Sequence, residues 1–279
     1  MNRSPRPLLP VLAVALALAL AVAGCSSDGG SEGAPPTSDR SSTTTVDGTD
    51  TTTTPPPTTT SATATTAPPT TAPATGCTAG DAAPPPGSRT GRVPDVDGDG
   101  RADIGWVSAP DPQTGETTVG IQTAAGGGAT FPFESASPVE RTMLVVDADH
   151  HGPIEVLLDD GRSVQLVAFS DCTIAPIRNP QGQPYLFDLH RLRGNGTGVG
   201  CRGTGSDRRL VGLDHEPAAA DGTVAWTSTD IDLDGLSASN GTAHHGTFHA
   251  PEDAAAIELL DGVACGDRTM QADGIRGPR

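Results

Sequence analysis

The chain has 279 residues, a formal charge of −17 and only 3% aromatic residues, and every one of its 17 basic residues is arginine. The 34 acids set against those arginines repel nucleic acid and anionic head groups, and the absence of lysine excludes Schiff-base chemistry and amine nucleophiles. With 35 Gly and 26 Pro, part of the chain is not a packed core.

Arg3 and Arg6 precede an apolar run from Leu8 to Val22. A basic start, roughly 15 apolar residues and small residues at the end describe a secretory signal peptide, too short for a membrane span of about 20 residues. The run ends in Val22-Ala-Gly-Cys25, which resembles the lipobox of bacterial lipoproteins. The resemblance implies cleavage after residue 24, a diacylglyceryl thioether on Cys25 and a further palmitate-type acyl chain on the new amino group. The mature protein is then expected to be exported and lipid-anchored to the cell membrane, facing away from the cytoplasm. Several acyl chains at about 0.8 kcal/mol per methylene make such an anchor effectively permanent. Loss of Arg3 and Arg6 leaves the mature chain still more acidic.

Residues 25–87 read as a stalk. Runs such as Thr51 to Thr54, Pro55 to Pro57 and Thr58 to Thr60 carry almost no large apolar residue, so they cannot offset the entropy of ordering. Proline biases such a tract toward extended polyproline II at about 3.1 Å per residue, and Ser/Thr/Pro tracts are acceptors for O-glycosylation.

Residues 88–279 read as an all-β head, because short apolar stretches alternate with Gly, Asp and Pro. The pattern predicts strands at Ala102–Ser108, Thr117–Thr123, Thr130–Phe133, Arg141–Val146, Ile154–Leu158, Ser163–Phe169, Thr173–Ile177, Tyr185–His190, Leu210–Leu213, Thr223–Thr227 and Ala255–Leu260. A weak repeat of about 50 residues overlies them. Asp95-Val-Asp-Gly-Asp-Gly-Arg-Ala-Asp103 is echoed by Asp147-Ala-Asp-His-His-Gly-Pro-Ile-Glu155 and more faintly by Gly203 to Leu213, with the strand of a fourth copy expected at Ala255–Leu260. A period of this size, with several strands per unit, is the pattern of propeller blades that bury their faces against neighbours.

Asp95, Asp97, Asp99 and Asp103 follow D-x-D-x-D-G-x-x-D, with Gly100 at the sharp turn. Calcium takes six to eight hard oxygens at about 2.3 to 2.6 Å, and a tight loop aims alternate carboxylates and one backbone carbonyl, that of Arg101, at one centre. Trp106 stands at the twelfth position, so the loop is not an EF-hand. The segment resembles the calcium loops of FG-GAP repeats, also called VCBS or integrin-α-like repeats. That resemblance implies a propeller-like β domain with Asp95, Asp97, Asp99 and Asp103 as side-chain ligands and Arg101 as the carbonyl ligand. The second copy has His151 for the third Asp and Glu155 for the last, and Asp230-Ile-Asp-Leu-Asp-Gly235 repeats the opening of the motif with Ala238 at the last ligand position.

With Cys25 assigned to lipid, Cys77, Cys172, Cys201 and Cys265 remain in an oxidising compartment, where two disulfides are expected. Of three connectivities, spacing favours Cys172 with Cys201 and Cys77 with Cys265. His244, His245 and His249, joined by His150 and His151, offer nitrogen ligands for a transition metal, although histidines in polar turns are usually solvated. Asp159, Asp160, Glu252 and Asp253 offer carboxylate pairs in a chain where acids are common. Trp106, Phe131, Phe133, Tyr185 and Trp226 are expected in the core. The leading functional reading is a cell-surface lipoprotein whose calcium-stabilised head is a binding or structural module for a cell-wall glycan or protein. The alternative is an exported enzyme acting on cell-wall polymer or glycan.

Overall fold

A computed structural model describes residues 76–191 and 197–279. The expected signal peptide, Cys25 and the expected stalk up to residue 75 lie outside the described residues. Among the described residues no helix is long and apolar enough to cross a membrane.

The head is built from antiparallel meanders. The first joins β1 (Arg89–Val93), β2 (Asp103–Val107), β3 (Thr117–Gln122) and β4 (Gly128–Phe133) in sequence order. The second joins β5 (Thr142–Val146), β6 (Ile154–Asp159), β7 (Ser163–Ser170) and β8 (Thr173–Pro176), and β9 (Leu186–Asp188) also pairs with β7. The third joins β10 (Gly198–Arg202), β11 (Arg209–His215), β12 (Thr223–Asp234) and β13 (Ser237–His249). A helix, α1 (Ala254–Leu260), and a short hairpin of β14 (Ala264–Cys265) and β15 (Arg268–Thr269) follow, and the chain closes with β16 (Ile275–Arg276) against β5. No closed barrel forms among the described residues.

The middle sheet explains the most apolar stretches of the sequence. Every residue of β5 is buried, because strands covered on both faces read as continuous apolar runs. Side chains alternate between the faces of a strand, so Leu144, Val146, Leu157 and Leu166 enter a core shared with Val199, Leu210 and Ile231 of the third sheet. Met143, Val145, Val156 and Leu158 turn the other way and meet Val107, Val119 and Ile121 of the first. Burying each such side chain contributes about 1.5 to 3 kcal/mol, so the two cores hold the three sheets together. The tail strand locks in by shape. Gly91 and Gly105 pair in register and leave room for Ile275, whose Cδ1 would lie 2.6 Å from a Cβ at Gly105.

Three expectations are corrected, and the question left open at Asp230 is answered. Residues 76–87, assigned above to the stalk, belong to the head: Cys77 O accepts from Gly127 N at 3.0 Å, Ala79 O from Gly128 N at 3.0 Å, and Ala82 O from Trp106 Nε1 at 2.7 Å. Ala255–Leu260 lies within the helix α1, so it is not the strand of a fourth repeat. Its Ala-Ala-Ala-Ile-Glu-Leu-Leu composition favours helix, and only Leu260 is buried. The disulfides are Cys77–Cys172 and Cys201–Cys265, not the pairs that spacing favoured. A parallel bridge between Val199 and Val263 sets Cys201 beside Cys265 two residues further on. Finally, Asp230 to Asp234 lies inside β12, where a two-residue turn at Gly235 and Leu236 leads into β13, so no metal loop forms there. By chain-entropy arithmetic each disulfide contributes about 4 to 5 kcal/mol, since they close separations of 95 and 64 residues.

β1, β10 and β13 carried no apolar signal. β13 reads Ser-Ala-Ser-Asn-Gly-Thr-Ala-His-His-Gly-Thr-Phe-His and is mostly uncovered, so it is a strand through its pairing with β12.

Candidate metal-binding loops

The loop from Val93 to Asp103 joins the first two strands of the first meander. Its carboxylates first serve the backbone. Asp95 accepts Gly98 N at 2.8 Å and Gly100 N at 2.7 Å, and Asp97 accepts Asp99 N at 3.3 Å. Gly98 and Gly100 both take positive φ, 74° and 84°, which lets the chain fold back over the acids. The result brings oxygens of Asp95, Asp97 and Asp99 within 4.8 Å of one another. Three carboxylates so close repel unless a cation or solvent intervenes, and hard oxygens suit an alkaline-earth cation. The Arg101 backbone N–H donates to Asp99 at 2.8 Å, but its guanidinium lies 4.0 Å from Asp99 and is largely exposed, so its charge neutralises little.

Asp103 stands apart from that group. It is fully buried, and its two oxygens accept Val96 N and Ala124 N, each at 2.8 Å. Burial raises its pKa above the usual carboxylate value, the two backbone N–H groups oppose the rise, and Asp97 and Asp95 add to it. Its role in the structure is to hold the base of the hairpin. Asp97 also accepts Cys77 N at 2.6 Å, which ties the loop to the Cys77–Cys172 disulfide.

The hairpin between β5 and β6 repeats this scaffold at a constant offset in numbering. His150 N donates to Asp147 as Gly98 N does to Asp95, and His151 N donates to Asp149 as Asp99 N does to Asp97. Ala148 N donates to Glu155 as Val96 N does to Asp103. His150 and Gly152 take positive φ, 60° and 74°, at the positions of Gly98 and Gly100. Asp147, Asp149 and Glu155 converge within 4.8 Å. Glu155 is only 2% exposed, and burial, helped by the charges of Asp149 and Asp147, pushes its pKa up to about 8 against the pull of the Ala148 N–H. The imidazole of His151 bonds back to Asp149 O at 2.7 Å and adds no ligand to the group. Arg208, from the third meander, donates to Asp147 O. No motif marked Arg208, because that contact depends on how the meanders stack.

The remaining candidates do not converge on a metal. Asp230 pairs with Arg202 at 2.7 Å and with His244 at 3.1 Å. His245 meets the Thr227 hydroxyl at 3.0 Å, on the opposite face of β13 from His244. Among the described residues the two acidic loops are the groups able to hold an ion, and neither uses histidine. Asp160 accepts Ser135 Oγ, Arg162 N and Ser163 N, and Asp253 accepts His249 N, so both hold turns. Trp106, Phe133 and Tyr185 are buried as expected, whereas Phe131 and Trp226 are only partly covered, Trp226 stacking on Phe248 at 5.7 Å. No family model, curated protein or solved structure matches the chain.

Proposed function

We propose that this is an exported protein, anchored to the outer side of the cell membrane through lipid on Cys25, whose head is a propeller-like stack of FG-GAP-type repeats serving as a binding module for a cell-wall glycan or protein. In this reading the Asp95 loop holds one calcium ion through Asp95, Asp97 and Asp99, joined by the Arg101 carbonyl, while Asp103 holds the base of the hairpin through Val96 N and Ala124 N. Calcium supplies charge neutralisation there and stiffens a hairpin that opens directly into β2. The observation that carries the reading is the shared hydrogen-bond scaffold of the loops at Asp95 and Asp147, because two hairpins built alike at the same point of successive meanders are what a duplicated repeat leaves behind. The Asp95 copy keeps three clustered aspartates on that scaffold.

Two measurements test this proposal separately. Labelled palmitate is expected to enter the wild-type protein and not Cys25→Ser, and partition of the wild type into the aqueous phase of a detergent extraction overturns the anchor. Calorimetric titration is expected to show one calcium site with a dissociation constant of about 0.1 to 1 mM, the range of extracellular modules. Unchanged binding in Asp97→Asn/Asp99→Asn overturns the loop assignment.

A further inference from the structure

The third sheet turns one face toward β9. Register sets Gly212 opposite Thr229, Asp214 opposite Thr227 and Ile231 opposite Asn240, and opposed positions of an antiparallel pair share a face. Ile231 and Val199 join Tyr185 and Phe187 in one core, where the two rings meet edge to face at 5.2 Å. Beyond that apolar floor the face opens into a cleft of about 560 Å³, bounded by β9 and the loop before it, a size suited to a small organic ligand. The polar groups that line it are accessible. Asn240 is exposed, and because its Oδ1 accepts the Tyr185 hydroxyl at 2.5 Å, its amide N–H groups are left to a ligand. The Asp214 side chain is 36% exposed; the Arg191 guanidinium covers its Oδ1 at 2.5 Å, which leaves Oδ2 as the open oxygen. Thr229, partly exposed, stands between them.

A smaller hollow of about 130 Å³ shares Asp214 and carries the groove on to Thr227 and the exposed His245, whose hydroxyl and Nδ1 meet at 3.0 Å. With strands about 4.8 Å apart and a rise of about 3.3 Å per residue, Asp214 and Asn240 lie roughly 15 Å from each other, so one sugar-sized ring cannot touch both and a short chain of rings can. Arg191, the groove's arginine, is taken by Asp214 and by Glu216 at 3.6 Å, so nothing there calls for an anion. Tyr185 and Phe187 are only 8% and 6% exposed, so the floor offers no deep apolar pocket to anchor a peptide side chain. What remains open is a line of acceptors and donors, and a hydroxyl, which both donates and accepts, suits it. We propose that this groove binds an oligosaccharide, with Asp214 Oδ2 accepting from hydroxyls at one end, the Asn240 amide donating at the other and the Thr229 hydroxyl between them. The proposal deepens the binding-module reading and rests on it for the choice of a glycan. The groove shares no residue with the acidic loops.

Chitotetraose and cellotetraose, tetramers with and without acetamido groups, are the probes, each titrated beside its monosaccharide into the full chain and followed by ligand-detected NMR. Saturable binding of a tetramer at a dissociation constant on the order of 1 mM, with the monosaccharide at least about tenfold weaker, is expected. Binding of chitotetraose alone assigns the groove to N-acetylated chains; binding of cellotetraose, alone or as well, assigns it to chains read by their hydroxyls. Thr229→Trp fills the groove and is expected to abolish binding, and Asn240→Ala, at an exposed position, to weaken it about fivefold. If Thr229→Trp lowers the melting temperature, Asn240→Ala decides. Tetramer binding that both variants leave intact overturns the groove and keeps the glycan reading. Tetra-alanine binding in place of either sugar assigns the groove to peptide and overturns the proposal. Equal affinity for tetramer and monosaccharide, or no tetramer binding up to about 20 mM, overturns it as well. The binding-module reading falls with it only if the wild type is also not retained on an insoluble cell-wall preparation.

Discussion

The loops at Asp95 and Asp147 share a backbone and differ in charge. In both, the last acid of the motif is buried and accepts the N–H that follows the first aspartate, and in both the intervening acids accept turn amides. In the first, a third aspartate joins the cluster; in the second, His151 occupies that position and the buried Glu155 makes up the three. The comparison separates two jobs that one motif combines. The hydrogen bonds to backbone fold the hairpin, and the number of free carboxylate oxygens decides what it can bind. A hairpin can lose the second job and keep the first.

The largest difference should appear on titration with pH in the presence of chelator. Glu155 has a folded pKa of about 8 against an ordinary 4.5. Below about 4.5 it is protonated folded or unfolded; as pH rises from there to about 8 only the unfolded chain releases the proton, so its contribution to stability falls through that window by about 3 to 5 kcal/mol. Urea unfolding at the two ends of the window should show Glu155→Gln losing much less stability than the wild type. An equal loss in the two proteins means that Glu155 is not held protonated. Next in size, Asp103→Ala orphans two buried amides, those of Val96 and Ala124, and should cost about 2 to 4 kcal/mol in thermal melting. Glu155→Ala orphans only Ala148 N and should cost about half as much through lost hydrogen bonds. Costs in the reverse order would break the comparison. A smaller effect is expected from His151→Asp, which restores a third aspartate to the second loop. It should gain calcium-dependent stability of about 1.4 kcal/mol at ten times the dissociation constant, read as an added rise in melting temperature over the wild type.

Much of the second loop was legible in sequence because its offset from the first is constant and its acids sit at matching positions. The strands of the middle sheet were legible for a related reason, since burial on both faces leaves runs such as Thr142 to Val146 with no polar interruption. Local pattern failed where partners decide structure. β13 is polar and is a strand only against β12, and the Ala254 to Leu260 segment has too few residues to show whether its apolar positions repeat every two or every 3.6 residues. The Cys201–Cys265 disulfide depends on the bridge between β10 and the segment at Val263, which spacing along the chain does not encode.

The central claim, that the Asp95 loop binds calcium where the scaffold alone does not, is tested most directly by melting the wild type and Asp97→Asn/Asp99→Asn in calcium and in chelator. Calcium at ten times its dissociation constant adds about 1.4 kcal/mol through mass action, which raises the wild-type melting temperature by a few degrees. The double variant keeps Asp95 and Asp103 and their bonds to Gly98, Gly100, Val96 and Ala124, so its hairpin should still form. The double variant is expected to show one melting temperature in both solutions and the wild type two. An identical calcium response in the two proteins would contradict it and reduce the motif to an acidic turn.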